Sequence, residues 1–333
     1  MIPDRYNKEN LFRTVRDPSI AINEVKRQIE NISHIPQKIW FKRKYGPEID
    51  IMDQDWDYLI ILDACRYDSF EEINNIDGNL KKVVSKGSHS LEFCERNFKG
   101  RKFYDTIYVT ANGYGAQTTE DVFHDLIFTD EYQSVSKEDI LHSSSEGMAP
   151  QTVYNAARDS YEKYPNKRMI IHFMQPHDPY FGPTAKELRK RVEEDGLKVI
   201  SRDPEKIEKY DVNDTNVVAT LAEAARKGYI SNSELKEIYN ENLEVVLEYV
   251  RKLTDILDGK IVITADHGEL LGERDIIGHP NSRYFKELRQ VPWLIVDSER
   301  RPEITVEQPE TPVEIDNNII EKRLKALGYR DDE

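Results

Sequence analysis

Ile261-Val262-Ile263-Thr264-Ala265-Asp266-His267-Gly268-Glu269 is an apolar, β-branched run that stops abruptly at an acid, an imidazole and a glycine. Strands buried on both faces of a parallel sheet read as continuous apolar runs, and α/β folds bind ligands just beyond the carboxyl ends of such strands. Asp266 and His267 therefore fall where such folds do their chemistry. A second run of the same kind, Tyr58-Leu59-Ile60-Ile61-Leu62-Asp63, also finishes on an acid. Two strands of one sheet would bring Asp63 beside Asp266 and His267. An Asp after a strand is otherwise a turn former or a helix N-cap. Successive side chains reach one point only where the chain turns, however, and Gly268 permits the turn. Two carboxylates with a neutral imidazole suit a divalent cation: Zn, Mn or Mg, or Ca where several hard oxygens gather.

Asp63 closing an early strand, the string Ala265-Asp266-His267-Gly268-Glu269-Leu270-Leu271-Gly272-Glu273, and Gly278-His279 just after it resemble the alkaline phosphatase superfamily and, within it, the sulfatase-like branch. The resemblance runs from about Asp57 to Val296, with a weaker echo in Leu324-Lys325-Ala326-Leu327-Gly328-Tyr329. It implies a three-layer α/β/α sandwich around a mostly parallel central sheet. It also implies that Asp63, Asp266 and His267 are metal ligands, with an open position for a phosphoryl or sulfuryl oxygen. The nucleophile of such enzymes is a Ser, Thr or modified Cys at a helix start some tens of residues after the first Asp. Here Gly87-Ser88-His89-Ser90 reads as a turn entering a helix over Leu91, Phe93 and Phe98, and a helix N-terminus stabilises an anion or an ionised hydroxyl. Ser90 is the candidate nucleophile and a further metal ligand; Ser88 is the alternative, and either is otherwise a helix cap.

Sulfatase-like proteins place a substrate-contacting histidine in a Pro-His-x-Pro setting, and Pro176-His177-Asp178-Pro179 follows the apolar strand Arg168–Met174. His177 is therefore expected to donate to the substrate oxygen or the leaving group. His279 either contacts the substrate beside a single metal or, with His177 and Asp178, completes a second metal site. Arg66 would pair with an anionic group, or else with Asp68 or another neighbour. Cys65 lacks the Cys-x-Pro-x-Arg context of formylglycine sulfatases, so it reads as a buried small residue, which favours phosphate over sulfate esters. His172 reads as a core or second-layer histidine, His124 and His142 as shell residues, and Asn112-Gly113-Tyr114-Gly115 as a loop lining the cleft.

At 333 residues the chain can bury a large core, and its net charge of −15 argues against nucleic acid, which needs clustered Lys and Arg. An anionic substrate remains compatible, because a metal supplies local positive charge. Two cysteines, Cys65 and Cys94, cannot build a secreted-type disulfide framework, no apolar run is long enough to span a bilayer, and the cytoplasm is the expected compartment. The expected organisation is a helical arm over 1–50, docked through Trp40 and Phe41 and interrupted at Pro36. A catalytic domain over 51–300 follows, carrying a helical cap insertion near 184–219, and then a C-terminal strap over 301–333 with a short helix near 317–327. The long segment Leu235–Val250 carries one apolar stripe, read as packing on the sheet.

The expected function is a metal-dependent hydrolase or transferase acting on phosphate, less readily sulfate, esters through Ser90, with one divalent ion and room for a second. The substrate would be a small-molecule or a glycan- or lipid-linked anionic ester. The competing reading is a non-catalytic relative that binds an anionic glycan or a protein, whose mark would be a missing ligand or nucleophile.

Overall fold

Leu59, Ile60, Ile61 and Leu62 are fully buried because β1 (Tyr58–Leu62) runs through the middle of the sheet, flanked on both edges. The computed structural model describes residues 35–119, 121–130, 146–200 and 214–309. The other six strands of the central sheet are β2 (Asn79–Val84), β3 (Phe103–Thr110), β4 (Phe123–Phe128), β5 (Arg168–Phe173), β6 (Ile261–Thr264) and β7 (Gln290–Val296), in the spatial order β2-β7-β6-β1-β5-β3-β4. β1 pairs in parallel with β6, Tyr58 opposite Ile261, and with β5, Tyr58 opposite Met169. β3 pairs in parallel with β5 and β4, while β7 runs antiparallel between β6 and β2. The sheet is thus mostly parallel, as expected, and the carboxyl ends of β1, β3, β5 and β6 open on one edge.

Strand alternation sorts the core into two layers. Tyr58, Ile60 and Leu62 pack with Val153, Ala156, Leu243, Val246 and Val250 on one face, under the helices Pro150–Lys163 and Asn232–Ile256. Leu59 and Ile61 pack with Phe93, Phe98 and Ala116 on the other, under the helices Ser90–Phe98 and Gly113–Thr118. A third cluster joins Leu188 and Val192 of the helix Pro183–Glu194 to Leu221 and Ala224 of the helix Leu221–Arg226, and to Leu235 and Ile238. It covers the segment expected as a cap, of which 201–213 lies outside the described residues.

Several expectations change. Pro36 sits in the first turn of the helix Ile35–Tyr45, where its missing N–H costs nothing, and the segment before that helix lies outside the described residues. Phe41 is buried against Val84 and Tyr284, but Trp40 is 54% exposed and does not dock this segment. The rest of the arm (1–34), His142, the helix near 317–327 and the echo at 324–329 lie outside the described residues. No described helix is long and apolar enough to cross a membrane.

Candidate metal centre and active site

The turn after β1 is held in an unfavourable shape. Ala64 sits at φ 59°, a left-handed conformation that costs a non-glycine residue on the order of 1 kcal/mol. It is fixed by its own N–H, which donates to Asp266 Oδ1 at 3.0 Å, and by its carbonyl, which accepts from the Tyr239 hydroxyl at 2.7 Å. That hydroxyl also accepts from the Arg66 N–H at 2.9 Å. The result is that Asp63 and Asp266, far apart in sequence, present their carboxylates to one buried point, where they are 1% and 0% exposed. Gly268 contributes by close approach. Its N–H donates to the Leu288 carbonyl at 2.7 Å, and a Cβ there would lie 2.0 Å from the Glu287 carbonyl oxygen.

The His267 ring has one possible tautomer here. Its Nδ1 lies 2.8 Å from the Gly268 carbonyl oxygen, which can only accept, so Nδ1 carries the proton and Nε2 a lone pair. That lone pair faces Asp63 Oδ1 at 3.5 Å and Asp266 Oδ2 at 3.4 Å, and Asp266 Oδ2 has no hydrogen-bond partner. Ser90 Oγ closes the group, 3.3 Å from both Asp63 Oδ2 and His267 Nε2. Burial and the Asp266 charge push the Asp63 carboxyl well above its ordinary range, and burial holds His267 below the usual imidazole value.

Two carboxylates and an imidazole lone pair converging on a dry point, with only the neutral donors Ser90 and Asn112 beside them, suit a cation. The ligand atoms of Asp63, Asp266 and His267 lie within 4.8 Å of one another. The separations quoted above match the edge of a tetrahedron with bonds of about 2.0–2.1 Å, which is about 3.4 Å. The donor set of carboxylate, imidazole and hydroxyl oxygen suits Zn or Mn, and fits the expected group.

The two serines separate cleanly. Ser88 Oγ donates to Glu92 Oε2 at 3.0 Å, and its N–H reaches the same oxygen at 2.9 Å. Glu92 is in turn gripped by the buried Arg289 through contacts of 2.9 and 2.7 Å. Ser88 is therefore tied into a structural ion network. The N-cap of the helix is neither serine but His89, whose Nδ1 accepts from the Glu92 N–H at 3.3 Å. Burial lowers the His89 pKa to about 4, leaving the ring neutral and able to accept. Ser90 is left with its hydroxyl turned towards the acids.

A second group lies alongside, formed by His177, Glu269 and His279, whose ligand atoms also lie within 4.8 Å of one another. The His279 and His267 ring centroids are 4.7 Å apart, and those of His279 and His177 5.1 Å. His279 Nδ1 lies 3.2 Å from both Glu269 oxygens, while His177 Nδ1 donates to the Asp178 carbonyl at 2.7 Å. Glu269, not the Asp178 side chain, is thus the third member of this group. Arg66 takes the neighbourly alternative. Its guanidinium pairs with Asp68 at 2.9 and 2.7 Å, with Glu273 at 2.5 Å and with the Glu269 carbonyl at 3.2 Å. Arg66 braces the 269–273 turn and is not available to an anionic substrate. Cys65 and Cys94 are fully buried, and burial pushes both thiols up. His124 donates to the Glu307 carbonyl at 2.7 Å, away from both groups.

Four residues at or supporting the site were given no individual role in the sequence, although Asn112 stood in the loop expected to line the cleft. Asn112, just past β3, donates to Asp63 Oδ2 at 2.6 Å while its Oδ1 caps the helix Gly113–Thr118. Glu269 stood inside the quoted string without a role. Tyr239 and Asn242 lie one turn apart on the helix Asn232–Ile256. Asn242 Nδ2 donates to the carbonyls of Pro176 and His177 at 3.1 and 3.0 Å, and its Oδ1 accepts from the Phe181 N–H at 3.0 Å. Both sit in the apolar stripe, and a polar residue at a core-facing position was the signal.

No family model matches the chain, and no curated protein sequence does. Solved structures do. The soluble domain of lipooligosaccharide phosphoethanolamine transferase A from Neisseria meningitidis is 12% identical, over 73% of this chain and 76% of that one, with a TM-score of 0.47. The integral membrane form of that transferase is 11% identical, over 87% of this chain and 60% of that one, with a TM-score of 0.48. The expectation of a cytoplasmic protein is withdrawn, because the features it rested on do not fix a compartment. A low cysteine count limits disulfides and does not fix a compartment. A protein in the alkaline phosphatase superfamily from Vibrio parahaemolyticus is 14% identical, over 77% of this chain and 62% of that one, with a TM-score of 0.40. The chain is similar in fold to alkaline phosphatase and sulfatase-like proteins, the same resemblance that its Ala265–Glu273 string carries.

Proposed function

We propose that this protein is a metal-dependent phosphoester hydrolase or phosphoryl-group transferase with Ser90 as nucleophile. The observation that carries the reading is the convergence of Ser90 Oγ, the His267 Nε2 lone pair and the two buried carboxylates on one point. Asp63, Asp266, His267 and Ser90 would hold the ion. When bound, a divalent ion would favour the ionised serine and polarise the phosphoryl oxygens.

The chain's own residues account for the rest. Ser90 Oγ, its proton already lost to solvent, forms the new bond to phosphorus as the bond to the leaving oxygen breaks, giving a phosphoserine. Asn112 holds Asp63 in place through its 2.6 Å contact with Oδ2, the oxygen that Ser90 Oγ meets at 3.3 Å, so the acid stays fixed beside the attacking oxygen. His177 and His279, each oriented through Nδ1 by the Asp178 carbonyl and by Glu269, present their rings to the substrate oxygens and protonate the leaving group. Water or an acceptor hydroxyl then attacks the phosphoserine and returns Ser90. His177, Glu269 and His279 are also spaced to take a second cation. The buried Cys65, which lacks a Cys-x-Pro-x-Arg context, and the hydroxyl of Ser90 favour phosphate over sulfate.

A panel of p-nitrophenyl phosphate, its diester and its sulfate, each with Mn, Zn, Mg or Ca added, tests the reading. Turnover of a phosphoester that rises with one of these ions and stops on chelation is the expected result. Turnover of the sulfate alone, or turnover indifferent to chelation, would contradict it.

A further inference from the structure

His172 lies one residue from the carboxyl end of β5, wholly buried, opposite Ile61 of β1 and Thr110 of β3. Its Nδ1 is 2.8 Å from the Tyr108 hydroxyl. Its Nε2 has no hydrogen-bond partner, and neither has Asp266 Oδ2. These two orphaned atoms face each other across 3.8 Å, with Asp63 Oδ2 4.0 Å from the same nitrogen. Buried polar atoms left unpaired are uncommon and costly, and two such atoms of opposite potential role point to a shared purpose.

The proton on the ring decides what that purpose is. Had Nδ1 carried it, the Nε2 lone pair would face Asp63 Oδ2 and Asp266 Oδ2 from behind, adding another acceptor to carboxylates whose ion-facing side the His267 lone pair already shares. If instead Tyr108 donates its hydroxyl proton to Nδ1, the ring proton sits on Nε2 and its N–H points at Asp63 and Asp266. Tyr108 keeps its proton, since burial pushes the phenol well above its ordinary range. We propose that His172, set in the Nε2–H form by Tyr108, is a positioning residue that holds the two acids with Asp266 Oδ2 turned towards the ion point. This rests on the cation reading above. An N–H placed behind a liganding carboxylate fixes its orientation, and loss of such a partner commonly weakens ion binding by about 10–100-fold. The arrangement differs from that of His267, whose proton is on the opposite ring nitrogen. The end of β6 thus offers a lone pair to the centre, and β5, on the other side of β1, offers a donor behind it.

Two measurements on the full chain decide the matter. Nitrogen NMR of labelled protein in chelator should show Nε2 of His172 protonated and Nδ1 unprotonated; the reverse pattern overturns the proposal even if no variant folds. Calorimetry with Zn2+ should show that His172→Leu binds about 10–100-fold more weakly than the parent. His172→Gln, which keeps an N–H near the Nε2 position, should recover most of the loss. If the parent binds Zn2+ and His172→Leu binds it equally well, His172 is core packing and the cation reading stands. A parent protein that binds no Zn2+ overturns that reading and this inference with it.

Discussion

Strand β1 has a buried aspartate at each end, and the two are treated in opposite ways. Asp57, at the amino end, is 2% exposed and fully matched. It accepts from the Lys260 N–H at 2.7 Å and from Arg301 Nη2 at 2.9 Å, with Arg301 Nε also in contact. Asp63, at the carboxyl end, is as deeply buried, yet its partners are neutral side chains and a second carboxylate. A cavity of about 570 Å³ lies at the amino end, lined by Tyr58, Tyr161, Arg300 and Arg301 among others. Room alone therefore does not mark the site, since the charges beside that cavity already neutralise one another. What marks the carboxyl end is unbalanced negative charge in a dry place, which a fold tolerates when a cation completes it.

The comparison can be broken at several points. Ser90→Ala should lower kcat by 10³-fold or more, about 4 kcal/mol in barrier, with the melting temperature little changed. Ser88→Ala should leave turnover within about tenfold and lose about 1 kcal/mol of stability, because its contacts are with Glu92 alone. Dead but folded Ser88→Ala with active Ser90→Ala would exchange the roles. The two aspartates should then diverge. Asp57→Asn should cost about 2 kcal/mol in chemical denaturation and leave cation binding intact. Asp63→Asn should raise the melting temperature in chelator, by relieving like-charge repulsion, and remove any further rise on adding Zn2+. Equal behaviour of the two variants would dissolve the distinction.

A smaller effect concerns a second matched acid. Burial works against the charge on Glu48, but hydrogen bonds from Arg96 and Lys42 outweigh it and hold the carboxyl down to about 2. A depressed folded-state pKa stabilises the protein above the unfolded value of 4.5. That contribution should fade as pH falls from there towards about 2. With solvent screening allowed for, it is about 1 kcal/mol, and Glu48→Gln should flatten that part of the acid limb of a stability profile. An unchanged acid limb would contradict the assignment.

How much of this was legible in the sequence follows from periodicity. β1 and β6 are apolar runs ending in polar residues and β5 is one broken by His172, so both the strands and the candidate ligands Asp63, Asp266 and His267 could be read from them. β2 and β4 could not. Asn79–Val84 is an edge strand exposed along much of its length, and its Lys81-Lys82 pair hides the pattern. Phe123–Phe128 closes the other edge and mixes buried with half-buried positions. Ser90 was legible through the Gly-Ser turn, but its separation from Ser88 needed the Glu92–Arg289 pair, formed between segments distant in sequence. Arg66 and Asp68 were adjacent enough to suggest their bridge. Glu273 was not, and it is what removes Arg66 from the substrate side. Tyr239 and Asn242 blend into a helical stripe because a clamp reads as packing until its acceptors are seen.

If the unmatched end of β1 holds a divalent cation, calorimetry with Zn2+, Mn2+, Mg2+ and Ca2+ should separate the parent from Asp266→Asn. Saturable binding of at least one of these ions to the parent is expected, with loss of that binding in Asp266→Asn and the variant still folded in chelator. If Asp266→Asn binds as tightly as the parent, the site lies elsewhere and the account is wrong.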